Sequence, residues 1–129
     1  MAEIRREIHV TVADEVGKLA ELTDKLKDAG VNITAICAWT EGDTGHLLLV
    51  TDDNDAAYRA LEPMVDGCEA REDVVCVKAG NTPGALHRIA HTLAEAGIGI
   101  QLAHAACGDQ AEAVILLKTT DNTKAVTLL

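Results

Sequence analysis

Residues 14–33, DEVGKLAELTDKLKDAGVNI, and residues 81–100, NTPGALHRIAHTLAEAGIGI, are two versions of one phrase, set 67 positions apart in a chain of 129. Aligned without gaps at that offset from residue 10 to the end, the halves share Val10/Val77, Gly17/Gly84, Leu19/Leu86, Leu26/Leu93, Ala29/Ala96, Gly30/Gly97, Ile33/Ile100, Ala38/Ala105, Leu49/Leu116 and Leu61/Leu128. Six of these ten identities fall between residues 17 and 33, with Leu22/Ile89 and Val31/Ile98 conservative between them. A fixed period of this kind marks a duplicated structural unit.

Each copy reads as strand, helix, strand, strand, helix. In the first, IHVTV (8–12) is a β-branched run, and Val16, Leu19, Leu22, Leu26 and Ala29 recur at helical spacing with charges on the other side. Gly30 stands where a helix ends in a residue of positive φ. VNITAICAW (31–39) and HLLLVT (46–51) are strands joined by the turn-rich TEGDTG, and DDND caps a second helix through AAYRALEPMV that Gly67 closes. The second copy repeats the order from VVCVKA (74–79), with Thr82 expected as helix cap, Pro83 in the first helical position, and Leu86, Ile89, Ala90 and Leu93 as the apolar stripe.

This order predicts an α+β chain of two ferredoxin-like βαββαβ repeats, each an antiparallel sheet with helices on one face. The first repeat takes residues 1–72, with CEARE (68–72) as fourth strand. The second takes 73–129 and lacks its last strand, leaving an edge for the N-terminal MAEIRRE or a neighbouring chain to cover. One copy of roughly 60 residues buries too little surface to be more than marginal alone, so the unit is expected to act as a pair.

Composition narrows the function. With one Trp, one Tyr and no Phe, the core is aliphatic and a large aromatic-lined cofactor pocket is not expected. A formal charge of −10 with no basic stripe disfavours nucleic acid and anionic membranes as partners. The longest apolar run, AVILL, is far short of a bilayer span, and the first ten residues lack the apolar block of a signal peptide, so a soluble cytoplasmic protein is expected. Cys37, Cys68, Cys76 and Cys107 form no CxxC pair and read as reduced, buried thiols.

The succession of a strand, the phrase carried by VADEVGKLAELTDKLKDAGVNI and KAGNTPGALHRIAHTLAEAGIGI, and a hairpin resembles the ACT domain, a small-molecule-sensing module of ferredoxin-like plan. The second copy keeps the family's Pro-Gly as Pro83-Gly84, whereas the first has Val16-Gly17. The likeness covers nearly the whole chain, twice, and looks like the stand-alone tandem type without a catalytic domain. It implies regulatory binding of a free amino acid between paired domains or protomers, in a homodimer, with a metabolic enzyme as possible partner; from the residues themselves, no cofactor or metal is expected.

The residues that the resemblance nominates lie before the first helix and at the start of the next strand. In copy one they are Asp14, Glu15, Val16, Gly17, Asn32 and Ile33, and in copy two Asn81, Thr82, Pro83, Gly84 and Gly99. Early helix amides have no internal partner and sit at the positive helix end, which suits a carboxylate. Glycine leaves room for a ligand, and Asp14, Asn81 and Asn32 offer acceptors for an ammonium.

The same residues also read as plain turn and cap chemistry, with Gly17 and Gly84 permitting tight turns and Asp14 and Asn81 capping helices. A regulatory subunit that docks on an enzyme without ligand is the alternative function. His87 and His91, four apart on a helix, read as a half-exposed flank beside the apolar stripe rather than a metal site, and no ligand set is readable around His104 and Cys107. DDNDAAYRALE lacks the glycine of a calcium loop, and no set of acid, base and nucleophile converges, so an enzyme is not expected.

Overall fold

The computed structural model describes residues 1–106 and 111–129, with main chain alone at 70–72. Cys107 therefore lies outside the described residues. The elements are β1 (Ala2–Ala13), α1 (Lys18–Asp28), β2 (Ile33–Glu41), β3 (Thr44–Thr51), α2 (Asn54–Leu61), a 3-10 turn (Glu62–Met64), β4 (Gly67–Gly80), α3 (Ala85–Glu95), β5 (Ile100–Ala106), β6 (Glu112–Thr119) and α4 (Asn122–Leu128). The fold is the expected one: α+β, antiparallel, and ferredoxin-like in both repeats. CEARE and VVCVKA, read above as separate strands, are parts of the single strand β4. The helix expected to run on through AAYRALEPMV ends at Leu61, because Pro63 has no N–H for a further helical bond.

Contacts divide the chain into two compact units, Arg6–Glu72 and a second made of Met1–Arg5 with Asp73–Leu129. In the first, the strand order is β2-β3-β1-β4, using the later part of β1 and the start of β4. In the second the order is β1-β4-β6-β5, and the fourth strand that residues 73–129 lack comes from the first residues of the chain. There the N-terminal ammonium of Met1 donates to the Lys78 carbonyl at 3.1 Å, and the Lys78 N–H donates to the Met1 carbonyl at 2.9 Å. Ala2 packs on the same unit's core.

Each unit has its own aliphatic core. In the first, Ile8, Val10, Val12, Leu47 and Leu49 meet Leu22 and Leu26 of α1 and Ala57 and Leu61 of α2. In the second, Val75, Val77, Ile115 and Leu117 meet Ile89, Leu93 and Ala125. Strand residues of one parity thus face the helices, and fully burying a side chain of this size stabilises by about 1.5–3 kcal/mol. The helical stripes are narrower than the spacing predicted. Val16 is fully exposed ahead of α1, and Leu19 and Leu86, one residue inside their helices, are about half exposed.

The repeat also contains a gap that the gapless alignment missed. Ile8 pairs with Leu49 and Val75 with Leu117; Ile36 pairs with Leu49 and Ala103 with Leu117. The offset is 67 through β5 and 68 from β6 onward, so one extra residue falls between Ala106 and Glu112. The structural equivalents are Leu49/Leu117 and Leu61/Leu129, not Leu49/Leu116 and Leu61/Leu128. At the offset of 68, Leu48/Leu116, Thr51/Thr119, Asp53/Asp121, Asn54/Asn122 and Ala57/Ala125 also become identical.

Those matched residues make the same joint twice. The Asn54 side-chain carbonyl accepts from the Thr51 N–H and hydroxyl at 3.1 and 2.6 Å, and its amide donates to the Arg6 carbonyl at 2.8 Å. Asn122 accepts from the Thr119 N–H and hydroxyl at 3.0 and 2.7 Å and donates to the Asp73 carbonyl. Each asparagine ties the end of one strand to a second strand while starting a helix. Asn54→Ala and Asn122→Ala each strip three hydrogen bonds and are expected to lower stability by roughly 1–3 kcal/mol in urea unfolding. Unchanged midpoints in both variants would contradict this joint.

Candidate functional site

The loops that precede α1 and α3 are built alike. The Asp14 N–H donates to the Asp43 carbonyl at 2.9 Å and the Asn81 N–H to the Ala111 carbonyl at 2.8 Å, pinning each loop to its hairpin. The chain then turns through Gly17 and Gly84, both at φ 85°, and the helix begins at the next residue. An L side chain is strained at that angle, although a Cβ on Gly17 would meet nothing within 4 Å. The glycines are thus demanded by backbone conformation.

Neither helix start is capped by a side chain. Asp14, Asn81 and Thr82 are not caps, because the cap position belongs to glycine, and Pro83 lies ahead of α3 rather than in its first turn. By contrast, the Asp53 carboxylate accepts from the Ala56 N–H at 3.0 Å to cap α2, and Asp121 accepts from the Lys124 N–H at 2.9 Å to cap α4. The starts of α2 and α4 are capped by carboxylates of the chain, whereas at α1 and α3 the turn itself serves the first amide: the Lys18 N–H donates to the Glu15 carbonyl and the Ala85 N–H to the Thr82 carbonyl, both at 3.2 Å.

Beside the start of α1 lies a cleft of about 210 Å³, within the unit Arg6–Glu72. It is lined by Val12, Ala13, Asp14, Glu15, Lys18 and Leu19 from the loop and helix, and by Ala38, Trp39, Thr40, Gly45, His46 and Leu47 from the hairpin. Val12, Ala38 and Leu47 share the parity of the helix-facing strand residues, so their side chains form the apolar wall. Trp39 and His46 have the opposite parity and turn their rings to the other side of the sheet. Lys18, with only a fifth of its side chain exposed, stands 3.7 Å from Glu15 and 3.6 Å from Glu21. Both distances exceed the 2.7–2.9 Å of a charge-assisted hydrogen bond, so the ammonium keeps donor capacity for a further anion.

The structure brings together only some of the residues nominated from sequence. Asp14 and Glu15 line the cleft, with Val16 and Gly17 following them in the same turn. Asn32 and Ile33 lie beyond the other end of α1, about 16 Å away for an eleven-residue helix. There the Asn32 N–H donates to the Asp52 carboxylate at 2.9 Å, and the Asp52 N–H returns a bond to the Asn32 carbonyl at 3.0 Å. In the second copy, Asn81, Thr82, Pro83 and Gly84 form the turn before α3, while Gly99 lies past its end. Gly99 exchanges equivalent bonds with Thr120, and a Cβ there would stand 3.1 Å from the Thr120 methyl, which accounts for glycine at this position.

Sequence reading missed Lys18, Leu19, Ala38, Thr40 and the imidazole cluster behind the cleft. His9 Nε2 and His46 Nδ1 are 3.1 Å apart, and the Trp39 ring lies parallel to His46 with centroids separated by 5.0 Å. The pairing of Trp39 with His46 across β2 and β3 is a register fact that local patterning does not carry. The indole N–H donates to the Glu41 carboxylate at 3.2 Å.

His87 and His91 stack at 5.7 Å on an exposed helix face, and no metal-holding group of three or more side chains occurs among the described residues. Cys76 is buried, whereas Cys37 and Cys68 are half buried, which corrects the expectation for those two. Burial, reinforced by neighbouring carboxylates, raises the Cys68 and Cys76 thiols above their ordinary range and keeps them poor nucleophiles. His104 has a buried Nε2 without a hydrogen-bond partner, and burial holds its pKa below the usual 6.5.

Comparison with known proteins finds likeness in structure. No protein-family model and no curated protein matches the chain. Protein BT0572 from Bacteroides thetaiotaomicron superposes with a TM-score of 0.87 at 25% identity, covering 99% of this chain and 88% of that one. The ligand-free regulatory subunit of aspartate kinase from Thermus thermophilus gives 0.74 at 15% identity, covering 98% and 94%. A structure of the alpha and beta subunits of aspartokinase gives 0.70 at 20% identity, covering 98% and 93%. These likenesses bear out the fold, two ferredoxin-like repeats. No helix among the described residues is long and apolar enough to cross a membrane.

Two outcomes follow for stability. Gly17→Ala and Gly84→Ala are each expected to cost about 1–2 kcal/mol in denaturant unfolding, from backbone strain alone; no loss in either would contradict the left-handed turn. Because the unfolded chain protonates His104 near pH 6.5 while the folded chain resists, stability should fall as pH drops through that value. His104→Leu should flatten that segment of the stability–pH profile, and an unaltered slope would contradict the assignment.

Proposed function

We propose that this chain is an amino-acid-responsive regulatory protein, a tandem pair of ACT repeats without a catalytic activity of its own. The observation that carries the reading is the cleft at the uncapped start of α1, where a loop carboxylate, a partly satisfied ammonium and an apolar wall converge. A free amino acid presents the complementary set: a carboxylate for the Lys18 ammonium at the positive end of α1, an ammonium for Asp14 or Glu15, and a side chain for the wall. The neighbours described as regulatory subunits or assemblies of aspartate kinase support this reading through their shared fold. Asn81, Thr82, Pro83 and Gly84 repeat the loop before α3, and Asn32, Ile33 and Gly99 remain candidates for contact with a ligand reached from another molecule.

Binding at a loop that sets the start of α1 would bias its packing, and a coupling of ~1–3 kcal/mol is typical of such regulation. The readout is association with a second copy of the chain or with a metabolic enzyme in the cytoplasm. Val16, Leu19 and Ile36 are exposed apolar side chains on α1, its preceding turn and β2, which supports a docking role for this face. Thermal-shift screening of the twenty amino acids at millimolar concentration tests the proposal. An amino acid present at 100 times its Kd should stabilise by about 2.7 kcal/mol and raise the Tm by several degrees. If no amino acid shifts the melting, the reading fails.

A further inference from the structure

We infer that the chain holds one amino-acid site, the cleft of residues Arg6–Glu72, and that this site selects a small aliphatic side chain. The inference rests on the amino-acid-binding reading above and adds stoichiometry and ligand class to it. Both follow from comparing the cleft with the same positions in the second copy.

The first-copy cleft carries three charged groups on its loop and helix, Asp14, Glu15 and Lys18. At the structural offset of 67 their counterparts are Asn81, Thr82 and Ala85, none of which is charged. A zwitterion that leaves water must exchange the hydration of both its charges for partners of opposite sign or for well-aimed hydrogen bonds. Copy one supplies both signs within four residues. Copy two keeps a cation, the Arg88 guanidinium, whose Nη1 would lie 3.7 Å from a Cβ on Gly84, but its loop has no carboxylate for an ammonium, and Ala85 is buried where copy one has Lys18. Duplication has thus kept the turn in both units and the loop carboxylates in one.

The wall sets the side chain. Val12, Leu19, Ala38 and Leu47 are aliphatic, and Gly45 beneath them has no room to become larger, since a Cβ would approach a Val12 methyl to 3.1 Å. The rings of Trp39 and His46, which would favour an aromatic ligand, are turned to the opposite side of the sheet. Along that wall Thr40 is the single polar side chain, so a charged ligand side chain lying against it would lose water without gaining a partner there. A volume of about 210 Å³ corresponds to about seven water molecules at roughly 30 Å³ each, room for a valine- or leucine-sized molecule.

The test is titration calorimetry of the intact chain with glycine, valine, leucine, isoleucine, tryptophan, aspartate and lysine, run beside the full amino-acid thermal screen. The expected result is binding of valine, leucine or isoleucine at one molecule per chain, with at least tenfold weaker binding of tryptophan, aspartate and lysine. Lys18→Met should weaken that binding at least tenfold. Lys25→Met, which removes the same charge from an exposed turn of α1, should leave it within twofold. Circular dichroism melting of both variants establishes that they are folded, and Lys18→Arg, which keeps the charge, should recover part of the affinity if Lys18→Met melts early. Two molecules per chain, a preference for charged or aromatic amino acids, or full affinity in Lys18→Met would overturn this inference while leaving the amino-acid reading intact. Failure of every amino acid in the screen would overturn the reading itself, and the inference with it.

Discussion

The packing of Leu22 and Leu26 against Ile8, Val10, Val12 and Leu49 decides where α1 begins, and the rest of the unit Arg6–Glu72 follows from that. With those two leucines held in the core, the helix must start at Lys18. The three residues before it have to turn back toward the strand, and only a left-handed residue at position 17 closes the turn. The turn leaves the start of the helix without a side-chain cap and sets Asp14, Glu15 and Lys18 beside the end of the β2–β3 hairpin. A site is made here by core packing acting through backbone geometry, without strain in any residue other than glycine.

The second unit obeys the same constraint with different chemistry. Ile89 and Leu93 anchor α3 as Leu22 and Leu26 anchor α1, and Gly84 repeats Gly17 in both position and φ. Asn122 repeats the strand-to-helix joint of Asn54, and Asp121 repeats the Asp53 cap. What the second unit does not repeat is the charge on the loop. It also draws its fourth strand from the first residues of the chain, so β4 has a partner on each side. Structural devices have been copied faithfully, while the groups that can meet a ligand have diverged.

Much of this was legible from sequence because it is local. Helix periodicity, the glycine after each helix, and the order of elements all depend on neighbours within a few residues. Gly30 and Gly97 end their helices at φ 71° and 72°, with Val31 and Ile98 donating back to Leu26 and Leu93 as that ending requires. Leu19 was read as core because its spacing fits the stripe, yet it lies at the outer margin of the helix and is half exposed. The extra residue before β6 escaped because conserved spacing was assumed across a hairpin, where an insertion costs little. Of the site, the loop before α1 was visible. Its other wall was not, since the meeting of Ala38 and Leu47 with Leu19 depends on strand register and on the seating of the helix, which no local pattern encodes.

The central claim is that the start of α1 and the facing hairpin form a working ligand site while the matching turn before α3 does not. Amide nitrogen–proton correlation spectra recorded during an amino-acid titration address it directly, because each turn reports through its own backbone signals. The account predicts saturable shifts at Asp14–Leu19 and Thr40–Leu47, with Asn81–Leu86 unmoved at the same ligand concentration. Equal shifts at both turns, or shifts confined to Asn81–Leu86, would contradict it.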